Sequence, residues 1–173
     1  MKKTLLIIGF YLFSFSSFAV DSYSIYLVRH AEKLTDVKDP ALTACGVRRA
    51  DQLANMLSNT DITEIYSTSY QRTMQTATPL ANQQKMAIRN YNPKQLEQFA
   101  FQLKQKRENA LVVGHSNTTP MLVELLAKQK VAPLTEQDYQ YLYQVQFVND
   151  QPMLTIFKQP LNCRASQTSD KLD

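Results

Sequence analysis

Tyr26-Leu-Val-Arg-His-Ala-Glu-Lys33 is a run of β-formers that stops at an arginine and a histidine. That is the pattern of a strand delivering polar residues to the edge of a sheet. Leu111-Val-Val-Gly-His-Ser-Asn-Thr-Thr-Pro120 repeats the pattern far downstream, again with the histidine where the apolar run ends. His30 and His115 are the only two histidines of the 173 residues, so both are spent at such a stop.

Working outward, residues 24–29 read as a first strand, central and parallel. Behind it, Val47, Ala50, Leu53, Ala54 and Leu57 recur at helical spacing, predicting a helix over residues 43–58 with Thr43 as its N-cap. Residues 64–67 read as a short strand, residues 69–84 as a helix that Pro79 kinks or ends, and residues 86–89 as a third strand. Pro93 at a helix start, followed by Leu96, Phe99, Ala100 and Leu103, predicts another amphipathic helix ending at Lys104, Lys106 and Arg107. Residues 110–114 are nearly all apolar, as in a strand buried on both faces, and Pro120 fits the first position of a helix to residue 128, capped by Thr118 or Thr119. A helical turn over residues 135–139 and a hairpin of residues 141–148 and 153–158 complete the series. Strand and helix alternate, which predicts an α/β fold: a three-layer α/β/α sandwich around a mostly parallel sheet. Ligands in such sheets bind at the carboxyl ends of the strands, where His30 and His115 both stand.

The ends of the chain read differently. Residues 1–19 start with Lys2-Lys3, run apolar from Leu5 to Phe15 and close on Ser17 and Ala19, as a secretory signal peptide cut after Ala19 does. The expected location is therefore periplasmic or otherwise exported, with residues 20–160 as one domain, residues 161–173 as a polar tail, and no membrane span once the leader is removed. The formal charge of +4 includes Lys2 and Lys3 of the leader, so +2 remains, too little to argue for nucleic acid as a partner. Cys45 and Cys163 are an even count in an exported chain, and either pair as a disulfide or leave Cys45 as a small buried residue. Two widely separated cysteines and two widely separated histidines lack the local pairing of a structural zinc site, so no metal is expected.

The stretches Tyr26-Leu-Val-Arg-His-Ala-Glu32, Ser67-Thr-Ser-Tyr-Gln-Arg-Thr-Met-Gln-Thr-Ala77 and Val112-Val-Gly-His-Ser116, in that order, resemble the histidine phosphatase superfamily, which includes the phosphoglycerate mutases. The resemblance implies a phosphoglycerate mutase-like fold and a phosphate pocket of Arg29, His30, Arg72 and His115, with Ser116 beside it. His30 would be the nucleophile that is transiently phosphorylated, with no cofactor. The chemistry asks for such a set independently: phosphoryl transfer spreads negative charge over equatorial oxygens and needs fixed cationic donors and one in-line nucleophile. Arginine forks supply those donors, and a neutral imidazole nitrogen supplies the nucleophile.

The proton donor is less legible. Many members of the family carry a carboxylate between the second arginine and the second histidine, or directly after that histidine. Here Ser116 follows His115, and only Glu97 and Glu108 lie in the intervening segment, where both read as part of one helix. Glu97 and Glu32 are the possible donors, although Glu32 could equally pair with a neighbouring cation to shape its loop. Without an acid, the enzyme would favour activated substrates such as acyl phosphates, phosphoramidates or pyrophosphates. The function expected is hydrolysis of a phosphorylated small molecule or cell-envelope phosphate. The alternative is a phosphate-binding or sensory module that keeps the pocket without turnover.

Overall fold

The structure, a computed structural model, describes residues 21–35 and 37–163. The expected leader with its cut after Ala19, and all of the expected tail beyond Cys163, lie outside these residues. Ten elements follow in chain order: β1 (Ser22–Arg29), α1 (Ala44–Leu57), β2 (Glu64–Ser67), α2 (Gln71–Gln84), β3 (Ile88–Asn90), α3 (Leu96–Lys106), β4 (Ala110–Gly114), α4 (Thr118–Ala127), β5 (Tyr141–Val148) and β6 (Gln151–Lys158). They form one six-stranded sheet in the order β3-β2-β4-β1-β5-β6. The first four strands run parallel, and the β5–β6 hairpin is added antiparallel along β1. This is the mostly parallel α/β sheet expected. No described helix is long and apolar enough to cross a membrane.

The strands alternate their side chains between two cores, as the period of two requires. Val28, Ile65, Leu111 and Val113 point to one face, where Leu53, Ala54 and Leu57 of α1 and Ala77, Leu80 and Ala81 of α2 cover them. Ile25, Leu27, Tyr66 and Val112 point to the other, under Phe99, Ala100 and Leu103 of α3 and Leu122, Val123 and Leu126 of α4. Helices thus occupy both faces, and the four parallel strands leave their carboxyl ends uncovered along one edge.

Several local expectations change in the folded chain. Helix α2 continues through Pro79, which forgoes the bond to the carbonyl of Gln75, and burial of Leu80 and Ala81 holds the following turn. Helix α3 starts at Leu96 rather than at Pro93: Asn92 accepts from the Lys94 amide at 3.0 Å and its carbonyl accepts from Gln95 at 3.1 Å, a turn that takes residues 92–95 out of the helix. Helix α4 starts at Thr118, so Pro120 is its third residue, where a proline nitrogen still has no bond to lose. Neither Thr118 nor Thr119 caps it. Residues 135–138 form a single hydrogen-bonded turn rather than a helical one, with the Asp138 amide on the Thr135 carbonyl at 3.2 Å and the Asp138 carboxylate accepting from the Thr135 amide at 2.8 Å. The hairpin tightens to a two-residue turn at Asn149 and Asp150, both at positive φ, so β6 begins at Gln151.

Cys45 and Cys163 are joined in a disulfide. With the Leu161 amide on Gln52 at 3.2 Å and the Gln159 amide on the Gln140 carbonyl at 2.8 Å, the segment up to Cys163 is pinned across α1. The first residues of the expected polar tail, 161–163, are therefore held to the fold.

Candidate active site

Strand register assembles the site. Arg29 pairs with Gly114 at the last step of the β1–β4 ladder, so the next residue of each strand, His30 and His115, leaves the sheet side by side. The His30 amide still donates to the Gly114 carbonyl at 2.9 Å, and the two imidazoles lie 5.6 Å apart between centroids, edge to face. Gly114 has no room for a side chain, because a Cβ there would press on Thr118, Thr119 and Tyr91. Arg72 arrives from the first turn of α2, which follows β2 on the far side of β4. Arg29, His30, Arg72, His115 and Ser116 line one open cleft of about 400 Å³ at the strand ends, together with Lys33, Tyr70, Lys94 and Glu136.

His30 is 3 % exposed, and its Nδ1 lies 2.8 Å from the Ala31 carbonyl oxygen. A carbonyl can only accept, so Nδ1 carries the proton and Nε2 keeps the lone pair. Burial above all, and then the positive charges of Arg29, His115 and Arg72, push the imidazole down to about 3, against the bond to Ala31. The loop is anchored by the Ala31 amide, which donates to Thr76 Oγ1 at 2.9 Å, while that hydroxyl donates to the Arg72 carbonyl at 2.7 Å. One threonine thus ties the His30 loop to the helix that carries Arg72.

Arg29 is 2 % exposed and stacks 4.2 Å above the ring of Tyr139. Its Nη1 donates to the Thr135 carbonyl at 2.7 Å and its Nη2 to Glu136 Oε2 at 3.0 Å. Arg72 lies over Tyr70 at 4.4 Å and pairs with Asp39 at 3.5 Å. Asp39 also accepts from the Gln71 amide at 3.1 Å, so an acid from the distant loop caps α2, whose own N-cap residue Tyr70 makes no side-chain cap bond. Ser67, buried at the end of β2, donates to the Thr68 carbonyl at 2.9 Å.

His115 meets Thr68 Oγ1 through Nε2 at 3.0 Å and faces Arg72 Nη2 through Nδ1 at 3.5 Å. The guanidinium can only donate, which makes Nδ1 the acceptor and Nε2 the protonated nitrogen. Burial first, then Arg72 and Arg29, lower this imidazole to about 4. Thr118 turns back to accept from the His115 amide at 3.0 Å, and Thr119 donates to the Val28 carbonyl at 3.2 Å. The two threonines expected as helix caps hold the site loop instead. Ser116 lines the cleft and donates to Glu136 Oε1 at 3.4 Å.

Neither sequence-predicted proton donor stands in the cleft. Glu32 receives both Nε and Nη2 of Arg49, at 2.7 to 3.0 Å, in a pair whose arginine is 4 % exposed. Arg49 also reaches the Leu161 carbonyl at 3.2 Å, so the pair locks the His30 loop to α1 and to the end of the described chain. Glu97 lies in the first turn of α3, on a sheet face, and lines a separate hollow with Met121 and Glu124. Glu32, Cys45 and Cys163 converge within 4.8 Å, but the sulfurs are bonded to each other and the carboxylate is held by Arg49, leaving no thiolate for a metal. The carboxylate that does line the cleft, Glu136, was invisible as a site residue because it belongs to an aperiodic loop.

Comparison with known proteins agrees with this geometry. Residues 25–100 match the sequence pattern of the histidine phosphatase superfamily (branch 1), the stretch that holds Arg29, His30 and Arg72. The fold is similar to that of the protein histidine phosphatase SixA complexed with tungstate, with a TM-score of 0.66 at 14 % identity over 79 % of this chain and 97 % of that one. It is also similar to an alpha-ribazole phosphatase from Shigella flexneri (TM-score 0.65, 12 % identity, 79 % of this chain and 96 % of that one). A mycobacterial glucosyl-3-phosphoglycerate phosphatase gives a TM-score of 0.63 at 11 % identity, over 82 % of this chain and 100 % of that one. No curated protein sequence matches the chain.

Proposed function

We infer that this chain, a phosphatase of the histidine phosphatase type, hydrolyses a phosphate ester or activated phosphate through a phosphohistidine on His30. The observation that carries the reading is the imidazole itself: Nδ1 is committed to the Ala31 carbonyl, which leaves Nε2 as a lone-pair nucleophile in a cleft bounded by two guanidiniums. Arg29 and Arg72 hold the equatorial oxygens as charge develops on them. His115 is neutral when the cleft is empty, and the arrival of a dianion favours its cation, whose Nδ1–H then donates to a phosphate oxygen. Ser116 is a further hydroxyl donor beside the same oxygens, at the N-terminal end of α4, where the helix dipole favours an anion.

The substrate class is a phosphorylated small molecule or a cell-envelope phosphate, and the protein works after export. The leader-like residues 1–19 support export, and so does a disulfide, which persists in oxidising compartments. No step calls for a metal, and nucleic acid is not a partner.

The test is hydrolysis of an aryl phosphate by residues 20–173, with a chelator present, by the wild type and by His30→Ala. The expected result is chelator-resistant turnover by the wild type, loss of more than about 10³-fold in the variant, and an acid-labile phosphoryl label on wild-type protein alone. A folded wild type that binds vanadate and turns over nothing would make the protein a phosphate-binding module instead.

A further inference from the structure

We propose that Glu136 is the proton donor of this phosphatase: it occupies the anion seat on Arg29 until a phosphate takes it, and then delivers a proton to the leaving oxygen. The proposal rests on the reading of His30 as nucleophile.

Among the described residues that line the cleft, Glu136 is the sole carboxylate. Its backbone is fixed to the site, because Arg29 Nη1 holds the neighbouring Thr135 carbonyl and Asp138 staples the turn through the amide and hydroxyl of Thr135. The side chain is not fixed in the same way. It is 78 % exposed and held only by Arg29 Nη2 and, more loosely, by Ser116. A carboxyl group on a rigid loop, swinging about its own side-chain torsions, can therefore reach the mouth of the cleft without moving the pocket.

Charge decides what happens when substrate enters. A phosphate oxygen and Oε2 repel each other when both sit at Arg29 Nη2, and the phosphoryl group, carrying more charge and reaching Arg72 and His115 as well, displaces the carboxylate. The displaced group then stands beside a dianion, which favours its protonated form. Lys33 and Lys94 on the rim oppose that uptake, as does Lys158 in the adjoining hollow of about 530 Å³. Asp138 there favours it, while Arg49 and Glu32 neutralise each other. Of all these, the bound dianion is the charge that changes on binding.

The step balances. Nε2 of His30 forms its bond to phosphorus as the bond from phosphorus to the leaving oxygen breaks. The electron pair stays on that oxygen, which takes the proton of Glu136. In the second half, the ionised carboxylate accepts a proton from the water that attacks phosphorus, and the P–N pair returns to Nε2, regenerating the acid. A substrate would then need no activated leaving group, contrary to the expectation drawn from the absence of an acid beside His115.

Leaving-group dependence tests this. Glu136→Gln and Glu136→Ala are assayed with an aryl phosphate, whose leaving group departs unaided, and with an alkyl phosphate, whose leaving group does not. The expected losses in kcat are about 10²-fold or more on the alkyl ester and less than about 10-fold on the aryl ester. Equal losses on both esters, or no loss on the alkyl ester, would overturn the proposal. So would variants that only bind inorganic phosphate more tightly, because Glu136 would then be a competitor for Arg29 and nothing more. A folded wild type inactive on both esters would instead remove the reading of His30, and this inference with it.

Discussion

His30 and His115 are held as neutral bases by burial and by the guanidiniums around them, and each consequence of that is measurable. In a ¹H–¹⁵N spectrum of the unliganded protein, both imidazoles are expected to stay neutral at pH 5, where an ordinary histidine is mostly charged, since they titrate at about 3 and about 4. Arg72→Ala removes a positive neighbour from His115 and is expected to raise its midpoint; an unchanged titration would mean that burial and Arg29 set it without Arg72. The stability linkage has a definite sign. Between the folded values and the ordinary value of about 6.5, the unfolded chain binds more protons than the folded one, so these histidines destabilise the protein as pH falls through that window. The thermal midpoint should therefore drop on acidification, and less steeply in His30→Ala. Both histidines and Arg29 were legible in the sequence because they stand where an apolar run stops. Glu136 was not, since its place beside Arg29 depends on how an irregular loop folds back, and no periodicity records that.

At the scale of elements, apolar spacing located every strand and helix, while the ends went to whichever polar partner the fold supplied. Thr43 caps α1 as its sequence suggests, accepting from the Gly46 amide at 3.0 Å. Thr43→Ala should cost about 1 kcal/mol in denaturant unfolding. A smaller catalytic defect should accompany it, because the Thr43 hydroxyl also donates to the Glu32 carbonyl at 3.4 Å, two residues from His30. Thr118 and Thr119 have the same local chemistry and do something else, because the end of β1 and the His115 amide lie within their reach. Local sequence states what a threonine can satisfy. Only the packed chain decides which unsatisfied group is nearest.

For the molecule as a whole, the order of the parallel strands was not readable, yet it is what unites the site: β4 had to lie next to β1 for two distant histidines to meet. The pairing of Cys45 with Cys163 was likewise open until the fold brought the end of the described chain back over α1. A bridge with a sequence separation of 118 should stabilise by about 4 to 5 kcal/mol on the chain-entropy account. Reduction, or Cys163→Ser, should lower the thermal midpoint by many degrees. It should also loosen Arg49, which holds both the Leu161 carbonyl and Glu32. A midpoint unmoved by reductant would show that the hydrogen bonds of residues 159–161 suffice without the bridge.

The β1–β4 register has one more consequence. His30 and His115 become neighbours only through the step that pairs Arg29 with Gly114, and a slip of a single residue along that ladder would send one of them to the opposite side of the sheet. Turnover is therefore a readout of correct strand alignment as much as of chemistry: a collapsed chain with all its helices formed but β4 unzipped from β1 would be inert. During refolding, the return of activity should coincide with the slowest closure of the sheet and lag the recovery of helix.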